Sequence, residues 1–240
     1  MNLLAFDTST ETLSLALTWQ RSGPAQLLEH TAPGGAQASA TLIPGLQRLL
    51  GDAGLRLAEL DAIVFGRGPG SFTGLRTACA VAQGLAFGAG VRVLPVDTLL
   101  AVAEDARHRS GAEHVLALLD ARMDQVYCAA YRFVGAAGWE RCGEFGLCAP
   151  EAVVVPEGWA LAGNAFAAYG ARLGGSGPRV DARPTAAALL QLAPALIAAG
   201  GALPASGALP LYIRDKVAQT TSERALQAAE KQARTTALTP

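Results

Sequence analysis

Leu3-Leu4-Ala5-Phe6-Asp7-Thr8-Ser9-Thr10 opens the chain as an apolar run that ends in an acid and three small hydroxyl residues. After Glu11-Thr12 comes Leu13-Ser14-Leu15-Ala16-Leu17-Thr18-Trp19, which alternates with period two. An apolar run followed by strict alternation reads as two paired strands with an acidic corner between them. The same pattern returns a hundred residues later. Val115-Leu116-Ala117-Leu118-Leu119-Asp120 is again an apolar run ending in an acid, Ala121 to Asp124 form a turn, and Gln125 to Phe133 form a strand. Strand, acid, turn and strand thus occur twice, with Asp7 and Asp120 in matching places, which reads as an internal duplication. The division expected is 1–110 for the first subdomain, 111–214 for the second, and 215–240 for a polar, mobile tail carrying a short helix near 222–234.

Outward from these hairpins, strands are expected at 25–31, 62–65, 91–96, 139–147, 152–155 and 159–162. Helices are expected at about 39–52, 72–87, from Asp97 or Thr98 to Arg109, after Gly163-Asn164, and at about 185–199. Strands alternating with helices argue an α/β protein, here two similar halves with a cleft between them. The weakly polar stretch Ala186 to Leu203 is broken by Gln191, Pro194 and Gly200-Gly201. A bilayer span needs about 20 strongly apolar residues, so this stretch reads as a buried helix.

Of 240 residues, 51% are hydrophobic and 16% charged, and 19 Lys and Arg against 20 Asp and Glu leave a net charge of −1. A nearly neutral chain does not bind nucleic acid through bulk charge. Four cysteines without Cys-x-x-Cys spacing, and no basic, apolar leader, suit a reduced cytoplasmic protein. His30, His108 and His114 form no metal-binding spacing, so no metal site is expected. No nucleophile–base pair stands out, so no catalytic residue is assigned.

Gly66-Arg67-Gly68-Pro69-Gly70-Ser71 joins a buried strand to a helix. Such a corner can aim backbone N–H groups and a helix dipole at an anion. It matches neither the phosphate-loop, the dinucleotide-binding nor the nucleophile-elbow pattern, and its glycines also serve tight turning alone. Asp7 and Asp120 could each hold a metal–nucleotide complex through water, or simply satisfy their own turns. The nucleotide candidates are therefore Asp7, Thr8, Ser9, Gly68, Gly70 and Asp120.

The helix from Phe72 is apolar nearly all round, whereas a surface helix has a broad polar face. At about 100° per residue, Thr73, Thr77, Ala80, Gly84 and Gly88 line up as a strip of small residues. The preceding helix places Leu42, Ile43, Leu46, Leu49 and Leu50 on one arc. Either the long helix is wholly buried in its own domain, or its strip, with Leu42, Leu46 and Leu49, meets a second chain.

FDTST at 6–10, GRGPGSFTGLR at 66–76, DARMDQVY at 120–127, GNAF at 163–166 and LPLYIR at 209–214 together resemble the TsaB family, also called YeaZ. The resemblance runs in order over about residues 1–214. It implies the actin-like, sugar-kinase-like (ASKHA) fold with two ribonuclease-H-like subdomains. It also implies a non-catalytic subunit that pairs with its paralogue, the TsaD transferase, with TsaE as a further ATPase partner. The complex moves a threonylcarbamoyl group from its adenylate onto adenosine 37 of tRNAs that read codons beginning with A. The two helices above would form the TsaD contact, tRNA would be met only through the complex, and the lone chain could form a homodimer. No intrinsic cofactor is implied, and weak nucleotide binding is left open.

Two departures bear on this. The transferase paralogue carries His-x-x-x-His where this chain has Thr98 and Val102, so the chain is not read as TsaD. The first helix of TsaB proteins often begins with His-Ser, where this chain reads Gln37-Ala38-Ser39. The competing readings are an autonomous ATPase or kinase of the actin-like superfamily and a glycoprotease-type peptidase. The first is weakened by the lack of glycine at 8–10 and 121–123, the second by the lack of a metal motif or nucleophile arrangement.

Overall fold

The computed structural model describes residues 1–214. The tail and short helix expected at 215–240 lie outside the described residues.

In the first half, β1 (Leu3–Asp7) pairs antiparallel with β2 (Thr12–Trp19), which pairs antiparallel with β3 (Gln26–Pro33). On the other side of β1, β4 (Ala62–Gly68) and β5 (Arg92–Asp97) run parallel to it. The sheet order is β3-β2-β1-β4-β5. In the second half, β6 (His114–Arg122), β7 (Gln125–Phe133) and β8 (Trp139–Cys148) form an antiparallel meander, with β9 (Ala160–Gly163) and β10 (Arg179–Asp181) parallel to β6. Its order, read from β8, is β8-β7-β6-β9-β10. Each strand of the first sheet thus has a counterpart in the second, and the duplicated hairpin extends to a duplicated five-stranded sheet. The fold is the α/β, ASKHA type expected.

Helices cover both faces of the first sheet, which is why all five residues of β1 are buried. On one face, α1 (Ala38–Ala53) and α2 (Phe72–Ala89) pack Leu42, Leu46, Leu49, Ala78 and Ala82 against Leu13, Leu15, Leu17 and Phe65. Leu42, Leu46 and Leu49 are therefore core residues with at most 5% exposure, which corrects their assignment to a partner surface. Their i, i+4, i+7 spacing marks a buried stripe, and the chain's own sheet supplies its cover. The alternative that α2 is wholly internal is also corrected. Thr73, Ala80, Gly84 and Gly88 are exposed and Thr77 is half-buried.

The opposite face of the first sheet is covered from far along the chain. Helix α5 (Ala186–Ala198) sets Ala186, Leu189 and Ala193 against Ala5, Val64 and Val96. Conversely, α3 (Thr98–Ser110) sets Val102, Ala103 and Ala106 against Val115, Ala117 and Ala129 of the second sheet. The two halves exchange helices, so one face of each sheet is covered by a helix from the other half.

Several local expectations shift. Strand β4 continues to Gly68, so the Gly-rich turn is shorter than the sequence suggests. Asp97 precedes α3 but makes no capping bond. Its carboxylate pairs with Arg67 at 2.6 Å, and the Thr98 hydroxyl accepts from the Gly68 N–H at 3.0 Å. No strand forms at 152–155, where Pro150–Ala152 is a short 3-10 turn. The helix after Asn164 is only α4 (Phe166–Tyr169), and three-residue β10 is too short to show a period. No described helix is long and apolar enough to cross a membrane.

Candidate functional site

Both acid-bearing corners, the start of α2 and the segment before Arg214 converge on a cleft of about 340 Å³. The two acids make the same turn. Asp7 Oδ1 accepts from the backbone N–H of Ser9 at 2.8 Å, and Asp120 Oδ1 accepts from that of Arg122 at 2.7 Å. In each case the carboxylate holds the N–H two residues on, the Asx-turn arrangement.

Their surroundings differ. Asp7 is fully buried, and Oδ1 also accepts from Ser9 Oγ at 2.6 Å while Oδ2 has no partner. Burial raises its carboxyl to about 6 against the lowering effect of the two Ser9 bonds. A Cβ at Gly66 would lie 1.8 Å from Asp7 Oδ2, so glycine there is what leaves room for the acid. Asp120 instead keeps full company. It pairs with the Arg122 guanidinium at 3.1 Å, accepts from Tyr169 Oη at 3.0 Å, and its N–H donates to Asn164 Oδ1 at 2.9 Å.

Of the six nucleotide candidates, Ser9, Gly70 and Asp120 line the cleft. Asp7 and Thr8 lie buried beneath it. Thr8 Oγ1 donates to the Gly74 carbonyl at 2.7 Å, and a Cβ on Gly74 would meet the Thr8 carbonyl at 1.9 Å, so α2 is seated directly on the hairpin corner. Gly68 is packed away from the cleft, its N–H used by Thr98 and its Cα against the Leu211 carbonyl. The start of α2 offers fewer free donors than its sequence suggests. Ser71 N donates to the Ser9 carbonyl at 2.8 Å, and Ser71 Oγ accepts from Gly74 N at 3.4 Å.

Four residues that sequence reasoning gave no role shape the cleft. Arg122 reaches from the second half to Glu11 of the first, forming a clasp across the mouth. Arg122, Met123 and Asp124 all have positive φ, at 59°, 54° and 61°, an uncommon run for non-glycine residues. The Tyr212 ring packs tilted against Phe72 with centroids 5.6 Å apart, and its Oη accepts from Arg76 Nε at 3.1 Å. Arg214 Nη2 donates to the Ala121 carbonyl and to Gln125 Oε1, tying the returning segment to the second half. The LPLYIR motif was the available signal for the last two. Nothing local marks Glu11 and Arg122 as partners 111 residues apart.

In the cleft Glu11, Arg122 and Asp120 are linked by ion pairs, whereas Arg214 is held by uncharged acceptors and its buried Nε has no hydrogen-bond partner. Among the described residues, no three His, Cys, Asp or Glu come together as a metal-holding group. At the place of the paralogue's His-x-x-x-His, Thr98 and Val102 are fully buried in α3.

Comparison with known proteins agrees with this architecture. The chain is 35% identical over 234 residues to the tRNA threonylcarbamoyladenosine biosynthesis protein TsaB of Escherichia coli, covering 91% of this chain and 96% of that protein. The chain belongs to the TsaB family. The TsaB of Haemophilus influenzae is 43% identical over 129 residues, a match spanning 53% of this chain and about half, 52%, of that relative. YeaZ from Pseudomonas aeruginosa superposes with a TM-score of 0.80 at 40% identity, over 88% of this chain and 99% of that one. The family model described as TsaD, tRNA N6-adenosine threonylcarbamoyltransferase, matches residues 29–162. That match fits a TsaB chain with the architecture of the transferase, and TsaB membership places the protein in tRNA threonylcarbamoyladenosine biosynthesis.

Proposed function

We propose that this chain is a non-catalytic, cytoplasmic subunit that binds and supports a TsaD-type transferase in making N6-threonylcarbamoyladenosine at tRNA position 37. The observation that carries the reading is the outer face of α2. Thr73, Ala80, Gly84 and Gly88 leave a shallow exposed strip, and Phe87 stands beside it with 84% of its surface exposed. Ile43 of α1 adds a second exposed apolar side chain at 41%. Nothing lies within 4 Å of a Cβ built on Gly84 or Gly88, so the strip is open. Small residues beside a large apolar anchor suit close packing by another chain. The cleft supports the non-catalytic part, since Glu11, Arg122 and Asp120 in it are paired with one another and the paralogue's two histidines are replaced. A TsaE-type ATPase and tRNA would join through the complex, and the lone chain would use the same strip to form a homodimer. The cleft would take a nucleotide only weakly, with Ser9, Gly70 and Asp120 nearest to it and no resident cofactor.

Ala80→Arg tests the surface by co-purification with a TsaD-type paralogue. An arginine buried there without a counter-charge opposes association. The variant is expected to stay folded by circular dichroism and to lose the complex. A folded variant that binds normally would place the interface elsewhere. Separately, the lone wild-type protein should transfer no threonylcarbamoyl group to tRNA. Robust transfer would overturn the non-catalytic reading.

A further inference from the structure

Cys128 on β7 and Cys148 at the end of β8 are not used by the cleft or by the α2 surface. Register sets Val126 opposite Cys148 and Cys128 opposite Gly146, so the two cysteines are diagonal neighbours on one face of an antiparallel pair. Gly146 is what lets them meet. A Cβ there would lie 2.4 Å from Cys128 Sγ, so the sulfur occupies space that any other residue would fill. The two thiols lie within hydrogen-bonding reach of each other. Both are half-buried, packed at the margin of a cluster that includes Leu118, Val126 and Leu161. The other two cysteines have no such neighbour. Cys79 is buried on the inner side of α2, and Cys142 is exposed beyond the irregularity that separates it from Gly146.

The geometry points to a dithiol site at Cys128 and Cys148 that closes to an intramolecular disulfide by exchange with a low-molecular-weight disulfide. One protein thiolate attacks the small disulfide, forms a mixed disulfide and expels one small thiolate. The second protein thiolate attacks the protein sulfur of that intermediate and expels the other. Two protein thiols are oxidised, one small disulfide is reduced to two thiols, and the two protons that the protein thiols lose are taken up by the expelled thiolates. The cross-link would pin the last residues of β8 to β7, three residues before Glu151, which Arg172 ties to Asp124. Burial, with Cys148 beside it, pushes the Cys128 thiol up to about 11. Exchange needs a thiolate, so it runs faster as pH rises.

The full chain is incubated with excess oxidised glutathione at about pH 9, where more thiolate is present than at neutral pH, then alkylated and analysed by mass spectrometry. The expected result is loss of two of the four thiols, a fall of two hydrogen masses, and one cross-linked peptide pair holding Cys128 and Cys148. Dithiothreitol should reverse all three. Cys128→Ser and Cys148→Ser should each abolish the cross-link and leave a stable glutathione adduct on the remaining partner. Free alkylation of both cysteines after oxidation, stable glutathione adducts on both in the wild type, or a cross-link through Cys142 or Cys79 would overturn the proposal.

Discussion

Asp7 reads differently in sequence and in structure. An acid followed by three hydroxyl residues at a strand end suggests a site for cations or phosphates. In the folded chain its carboxylate is sealed under the cleft, bonded to Ser9 and flanked by Gly66. Its raised carboxyl has a consequence with a definite sign. The folded state holds the proton more tightly than the unfolded chain, so this group's contribution is fully present below about 3.8 and lost as pH rises through about 6. Urea denaturation of the wild type should show stability falling by about 3 kcal/mol from this group across that window, at about 1.4 kcal/mol per pH unit. Asp7→Asn keeps an oxygen for Ser9 and should flatten the fall. An unchanged pH profile would rule Asp7 out as its source. Gly66→Ala drives a methyl into the same carboxylate and should cost about 3 kcal/mol, the upper end for overpacking, read as a lowered urea midpoint.

The two helices on the outer face of the first sheet divide their labour in a way that helical spacing alone does not reveal. The arc of α1 reads equally well as core or as interface, because periodicity reports that a face is apolar and not what covers it. The sheet covers it, so Leu46→Ala should destabilise the protein by about 2–5 kcal/mol, the usual cost of a cavity, measurable by denaturant melts. Phe87→Ala removes a side chain that is almost wholly exposed. Its stability should stay within about 0.5 kcal/mol of wild type, while its affinity for a TsaD-type partner in calorimetry should fall. Equal losses of stability in the two variants would contradict this division.

For the whole molecule, the decisive feature is the exchange of helices between the halves. The cut near residue 110 separates the two sheets in sequence, yet the face of the first sheet around Ala5, Val64 and Leu94 is buried by α5. A fragment of residues 1–110 would expose that face to water and should aggregate or lack fixed tertiary structure by near-ultraviolet circular dichroism. A chain of residues 1–214 retains every described contact and should melt cooperatively. A well-folded 1–110 fragment would show that α5 is dispensable for the first core. The clasp between Glu11 and Arg122 is a smaller matter, because both side chains are mostly exposed. Surface pairs of this kind contribute about 0–1 kcal/mol.

By itself the sequence determined the α/β class, both hairpins with their acidic corners, the duplication, the main helices and the motifs of the family. All of these depend on spacing over a few residues, where the period of a strand or helix and the chemistry of a turn act locally. The failures also have local causes: β10 is too short to show a period, and Asp97 found Arg67 before it could cap its helix. Tertiary structure alone decided that Asp7 is buried, that α3 and α5 cross over to each other's sheets, that Glu11 meets Arg122, that Cys128 meets Cys148, and that Phe87 is left uncovered. Each depends on groups distant in sequence, brought together only when apolar faces choose among several possible covers. A local pattern specifies that such a face must be buried, and only the packing of the complete chain specifies against what.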